Sequence, residues 1–466
     1  MGGKGVRGTL LRDVELDGRL RADVRVRDGV VHEVGDALPS DGDEVLACEG
    51  RALIPGLCDH HVHLLALAAV RRSVGCGPPE VTDAEALRAA LSAAEPGPDG
   101  WVRGVGYVET VAGDLDAAAL DGFRADVPVR LQHRSGALWM LNSAAVRAAE
   151  VASGEHPGIE LDESGIPTGR LWRADGWLRT RLPDEGGTGL AEVGSALSAL
   201  GVTSVTDATP DLAPEAVALL ARARASGALP QRVRLLGAAG PLPEGLTSGP
   251  EKIVIADSAL PSLDGLTARI AAAHQTGRPV AAHCVTYAAL VLFLVAVEAA
   301  GPLRGDRIEH AALVPSELLD TIRRLGLRVV TQPGFLADRG DDYLRDIPTA
   351  DHGDLYRCAS LLDAGVPLAL SSDAPYGPLD PWAVMDAAVR RRTRRGAVVG
   401  AAERIGARAA LNAYLAPSDD PGGPPRRVTP GAPADLVLLA APLADALAGL
   451  PRSPVEAVFL DGRRAR

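Results

Sequence analysis

Aromatic side chains are scarce, 3% of 466 residues, so any core has to be assembled from Ala, Val and Leu. Cysteine is sparing too. The five thiols, Cys48, Cys58, Cys76, Cys284 and Cys358, are odd in number and lack CxxC spacing, which excludes a disulfide framework and reads as reduced cysteine. Basic charge is outnumbered, 48 Lys and Arg against 60 Asp and Glu, and a net charge of -12 argues against nucleic acid as a partner. The one basic run, Arg390 to Arg395, stands in helical-looking sequence and is read as a solvated helix face. Long apolar runs are missing as well. The best of them, Ala288 to Ala300, is interrupted at Glu298 and falls short of the roughly 18 residues a membrane span needs. It is read as a buried helix, and membrane is not expected as a partner. Charges interrupt the apolar residues of the first twenty positions, so no secretory h-region is seen and a cytoplasmic location is expected.

What is present is ordinary globular material, 47% hydrophobic and 23% charged, in a chain longer than one core usually supports. Residues 1–53 carry short alternating runs separated by Asp-Gly at Asp17, Asp28 and Asp41, a strong hairpin signal. Residues 416–466 begin as a Pro/Gly-rich linker and then repeat that style, with Asp-Gly again at Asp461. A small β-sandwich made from both termini is expected. Between them, residues 54–415 read as a (β/α)8 TIM-type barrel interrupted by an insertion at about 66–189. Eight strand-like runs, at 53–59, 202–207, 232–237, 252–256, 279–284, 307–311, 327–333 and 367–373, mostly alternate with helical stretches, and a doubly wound open sheet is the alternative.

The stretch LIPGLCDHHVHLL, Leu53 to Leu65, runs an apolar strand into three histidines. His61 and His63 are two apart, so on a strand both imidazoles project to one face, half of a divalent-metal site. Other strand ends carry Lys252 (within its strand), His283, His310 and Asp373, and strand C-termini are where barrels keep their chemistry. Histidines His32, His156, His274 and His352 fall in turn-like, helical or Gly/Asp-rich contexts and are expected at the surface.

With IPGLCDHHVHL, WVRGVGYVE, GIPTGRL, GVTSVTDA, EKIVIADSALPS, VAAHCVT, RIEHAAL, LALSSDAPYGPLDPW and VTPGAPADLVLL in place, the chain resembles the amidohydrolase superfamily, and within it the amidohydrolase-3-like branch. The resemblance implies a metal site in which His61, His63 and Asp373 bind one ion and His283 and His310 a second. Lys252 would bridge them as an N6-carboxylated lysine. Zinc is the first expectation, with Co, Mn or Fe as alternatives. Were Lys252 a plain lysine, the site would be mononuclear, held by His61, His63, His283 and Asp373 with His310 orienting.

The implied chemistry is attack of a metal-activated water on a carbonyl carbon, with Asp373 passing the proton to a leaving nitrogen. An amide, urea or carbamate-type bond in a small, rather apolar substrate is the first reading. A deaminase, isomerase or lyase on the same site, or a non-catalytic metal-binding scaffold, are the rivals. The resemblance also makes deamination less favoured, because deaminase-like members tend to place a proton-shuttling Glu after the histidine that matches His283, and here no acidic residue follows it before Glu298. His133 is a further catalytic candidate that either reaches the substrate carbonyl or is a structural histidine. Trp101, Phe335 and Tyr376, with Trp382, either line the substrate pocket or pack in cores. A homo-oligomer is left open.

Overall fold

A computed structural model describes residues 8–183 and 189–465. The segment Leu65–Leu190 forms one compact unit, and the chain on both sides of it forms the other.

The larger unit holds a barrel and a sandwich. Its barrel strands are Leu57–Val62, Val202–Asp207, Arg232–Leu235, a fourth strand broken into Leu246–Ser248 and Glu251–Val254, then Val280–Cys284, Arg307–His310, Arg328–Thr331 and Leu368–Leu370. All neighbours pair in parallel. The break in the fourth strand falls at Gly249-Pro250, where proline has no N–H to give to a ladder. The backbone still bridges it, from Gly249 N to Leu235 O at 2.8 Å and from Lys252 N to Leu236 O at 3.4 Å. The last seam closes at the functional end, where Asp373 N donates to His61 O at 2.8 Å and His63 N to Ala374 O at 2.9 Å. The result is a distorted (β/α)8 barrel.

The first barrel strand differs from the reading of the sequence. Leu53–Pro55 does not enter the barrel; it pairs antiparallel with Leu436–Leu438 in the terminal sheet. Gly56 separates the two. A side chain there would put its Cβ 2.1 Å from Thr203 Oγ1, so only glycine lets the chain cross between sheets at that point.

The sandwich stacks a sheet of Thr9–Leu16, Leu20–Arg27, Val30–Gly35 and Glu44–Ala47 on one of Leu53–Pro55, Leu436–Leu439, Val455–Leu460 and Arg463–Arg464. Their shared core includes Leu11, Val24, Leu53, Leu436 and Phe459. Both residues of Asp28-Gly29 and of Asp461-Gly462 have positive φ, the geometry that two-residue hairpin loops require.

The segment Ala288–Ala300 belongs to a helix, Tyr287–Ala300, capped by the Thr286 hydroxyl and burying Leu290, Phe293 and Leu294. Among the described residues no helix is long and apolar enough to cross a membrane. The basic run is not a helix face. Its helix, Pro381–Arg390, ends on the first residue of the run, and Arg391 turns left-handed and inward. There its guanidinium donates to the carbonyls of Val399, Tyr356 and Leu355, spending the charge on capping a buried turn. Of the histidines expected at the surface only His32 is exposed; His156, His274 and His352 are half-buried, His274 bridging Gly301 O and Asp306 Oδ1.

The unit Leu65–Leu190 is built on a six-stranded mixed sheet in which Val129–His133 lies at the centre between Val102–Tyr107 and Leu138–Leu141. Two apolar clusters pack in it, one around Leu87, Leu91 and Leu131 and one around Trp101, Trp139 and Leu171.

Candidate metal centre

Four strand ends of the barrel converge on one cluster. The His61 and His63 rings lie 5.4 Å apart, the His61 and His310 rings 4.8 Å, and the His283 and His310 rings 4.5 Å. Asp373 sits among them, its Oδ1 3.5 Å from His61 Nε2 and 3.2 Å from His63 Nε2, and its Oδ2 3.7 Å from His310 Nδ1. His61, His63 and Asp373 offer ligand atoms all within 4.8 Å of one another. Lys252 joins from the fourth strand, with Nζ 3.5 Å from His61 Nε2.

The backbone is bent to bring this about. His310, Ala311 and Asp373 take φ of +68°, +47° and +54°, a left-handed region that costs non-glycine residues about 1–3 kcal/mol each. That turn frees His310 from strand alternation, so it and its neighbour Glu309 both serve the same cluster.

Each ring is fixed from behind. His61 Nδ1 donates to the carboxylate of Glu309, a fully buried residue that also lies 2.5 Å from Arg307 Nε. His63 Nδ1 pairs with Thr209 Oγ1 at 3.1 Å, and His310 Nδ1 donates to Gln332 Oε1 at 2.9 Å. With Nδ1 so occupied, Nε2 keeps a lone pair for the cavity, the arrangement metal-ligating histidines use. Asp59 clamps the seam, its Oδ1 accepting from His61 N and Ser372 N, both at 3.2 Å, and burial pushes its carboxyl up to about 6.

The electrostatics fit a cation. Burial, and then the neighbouring Lys252, hold His61 well below the usual imidazole range; burial and His283 do the same to His310. Both rings are therefore neutral donors. Asp373 Oδ1 is buried without a hydrogen bond, an uncompensated acceptor facing imidazole nitrogens. Lys252 is only 4% exposed, and burial pulls its ammonium pKa down. It is one of two lysines in the chain, with Lys4.

Beside the cluster, the Tyr376 ring meets the His63 ring edge-on at 5.4 Å. Phe335 lies in the adjoining apolar group with Tyr356, Leu336 and Tyr376. Trp382 is a core residue, fully buried, with Nε1 donating to Leu200 O. In the other unit, Trp101 packs in the cluster containing Trp139, and His133 binds Ser135 Oγ at 2.7 Å and lies 3.2 Å from Glu109 Oε1.

Glu309, Thr209, Gln332 and Asp59 escape a reading by residue type at strand ends. Glu309 stands one residue before His310, where simple alternation would aim it the other way. Its signal was a glutamate inside an apolar run, two residues after an arginine, since buried charges come in pairs.

A model of the amidohydrolase family matches residues 44–465 of the chain. An N-substituted formamide deformylase of Arthrobacter pascens is 28% identical over 451 residues, 83% of this chain and 82% of that protein. The fold is shared with an uncharacterized metal-dependent hydrolase from Pyrococcus horikoshii, at TM-score 0.76 and 20% identity over 96% of this chain and all of that one. It is also shared with N-isopropylammelide isopropylaminohydrolase from Burkholderia multivorans, at TM-score 0.55 and 17% identity over 98% of each chain. With the match spanning nearly its whole length, the chain belongs to the amidohydrolase family.

Proposed function

We propose that the protein is a metal-dependent hydrolase that cleaves a carbon–nitrogen bond of amide, urea or carbamate type in a small, rather apolar substrate. The observation that carries this is the orphaned Asp373 Oδ1 among pre-oriented imidazoles at the barrel's C-terminal end. A divalent ion there, zinc first among the choices, supplies Lewis acidity that brings the pKa of a coordinated water to about 7 and polarises a carbonyl.

His61, His63 and Asp373 would hold the ion, and His283 and His310 would offer donors for a second. Lys252, buried and held toward its neutral amine, would add its nitrogen to the carbon of CO2 with loss of a proton, and the resulting carbamate would supply anionic oxygen donors to the site. Asp373 accepts the proton of the attacking water and delivers it to the leaving nitrogen. Glu309, Thr209 and Gln332 keep the rings aimed. Tyr376, with Phe335 behind it, forms an aromatic wall beside His63 for an apolar substituent.

N-substituted formamides are the first substrates to test, because the Arthrobacter relative is a deformylase of such compounds. Zinc- or cobalt-loaded protein is incubated with an N-aryl formamide, an anilide, a phenylurea and a carbamate, and released amine is measured. Amine release that depends on the metal supports the reading; release from none of them overturns it.

A further inference from the structure

The opposite end of the barrel carries a cavity that the chemistry above does not use. It has a volume of about 840 Å3 and is lined where strands begin: Pro250, Pro279, Arg307 and Arg328 open the fourth to seventh strands. Five arginines line it, Arg234, Arg278, Arg304, Arg307 and Arg328, of which Arg307 turns its guanidinium to Glu309 and His60 O. Only two carboxylates, Asp419 and Asp420, share the lining.

The partners of these arginines leave charge over. Arg328 pairs with Asp420, and Arg307, only 1% exposed, pairs with Glu309. Arg234, Arg278 and Arg304 form no ion pair among the described residues. Arg278 is pinned by the carbonyls of Leu236, Ala238, Gly249 and Pro250, and Arg234 by that of Ser248. Carbonyls fix a guanidinium without neutralising it. Arg234 Nε is buried without a hydrogen bond, and burial pulls the Arg234 and Arg278 pKa values down, an effect that the Asp419 and Glu251 carboxylates offset only in part. In a chain of net charge -12 this is a local positive excess, pre-organised as planar forks that suit carboxylate and phosphate oxygens.

We infer that this cavity on the barrel's N-terminal face is a binding site for a small polyanion, a phosphorylated or polycarboxylate compound, distinct from the metal centre. Arg234 and Arg278 form its fixed floor and Arg304, exposed at the rim, its charged gate.

The test is calorimetric titration of zinc-loaded, full-length protein at low salt, with inorganic phosphate in one arm and succinate in the other. Arg304→Glu and Arg304→Lys, both at an exposed position, are run beside the wild type, with thermal unfolding as a check of folding. Saturable binding of at least one anion is expected, about tenfold weaker in R304E and nearly retained in R304K. The stronger arm tells phosphate from carboxylate recognition. No binding of either anion below about 10 mM overturns the inference. Binding that R304E leaves unchanged also overturns it, because an anion held at the metal centre would behave in that way.

Discussion

His61 and Glu309 stand 248 positions apart in the chain and share a buried hydrogen bond, from the imidazole Nδ1 to the carboxylate. The same carboxylate is the ion-pair partner of Arg307. One glutamate therefore orients a metal-facing ring and neutralises a buried cation. Glu309→Gln is expected to weaken metal retention about 10–100-fold, as loss of such supporting partners does. It also leaves Arg307 unpaired, at a cost of about 3–5 kcal/mol. Adding Arg307→Met should restore the melting temperature but not the metal affinity, measured by chelator competition. Recovery of both would mean that Glu309 acts only as a counter-ion.

Asp373 is given both a binding and a proton-transfer role, and the two can be separated. His63→Ala should lose metal and turnover together. Asp373→Asn keeps the shape and an oxygen but cannot hold a proton between water and leaving group. It should lower kcat by about 100-fold or more even at saturating metal. Amine release with metal content measured in the same samples checks this, and near-normal kcat in the asparagine variant removes Asp373 from proton transfer.

Lys252 can be watched directly. With only one other lysine in the chain, protein equilibrated with 13C-bicarbonate should give a single carbamate resonance, absent from Lys252→Met. Metal content should fall from about two equivalents to one in that variant. An unlabelled wild-type protein holding one ion would instead favour the mononuclear site.

All five cysteines are buried, and burial raises their thiols, Cys48 and Cys58 to about 11 and Cys76 and Cys358 to about 12. Ellman's reagent at pH 8 should find almost no reactive thiol in the native protein and five after denaturation. The linkage has a sign. A thiol whose ordinary value of 9.0 is raised by folding holds its proton longer in the native state. Its stabilising contribution is therefore whole below pH 9 and is lost as pH climbs through the raised values. Denaturant midpoints should fall above pH 9, and a flat profile to pH 11 would show these thiols ionising as freely as unfolded ones.

Much of the barrel was legible because apolar runs ending in His, Lys or Asp announce both a strand and its functional end. His61 and His63 follow from alternation alone, and their rings do lie close. The misreadings have local causes. Pro55-Gly56 is a break inside one apolar run, and the run divides there between two sheets. Leu246–Ser248 carries no strand signal of its own, because Gly249-Pro250 cuts the fourth strand into pieces too short to show a pattern. Arg391 reads as surface by type, yet unpaired backbone carbonyls can take a buried guanidinium as well as water. Glu309 was hidden by the assumption that strands alternate to their last residue, and the left-handed turn at His310 breaks that rule.

The crossing at Gly56 ties chemistry to architecture. Immediately before it, Leu53–Pro55 depends for its hydrogen bonds on Leu436–Leu438, nearly the whole chain away. Immediately after it comes the strand that delivers His61. A polypeptide cut short of Leu436 would leave Leu53–Pro55 without its partner strand, so the strand that delivers His61, itself paired with Val202–Asp207, would lose the anchor at its entry.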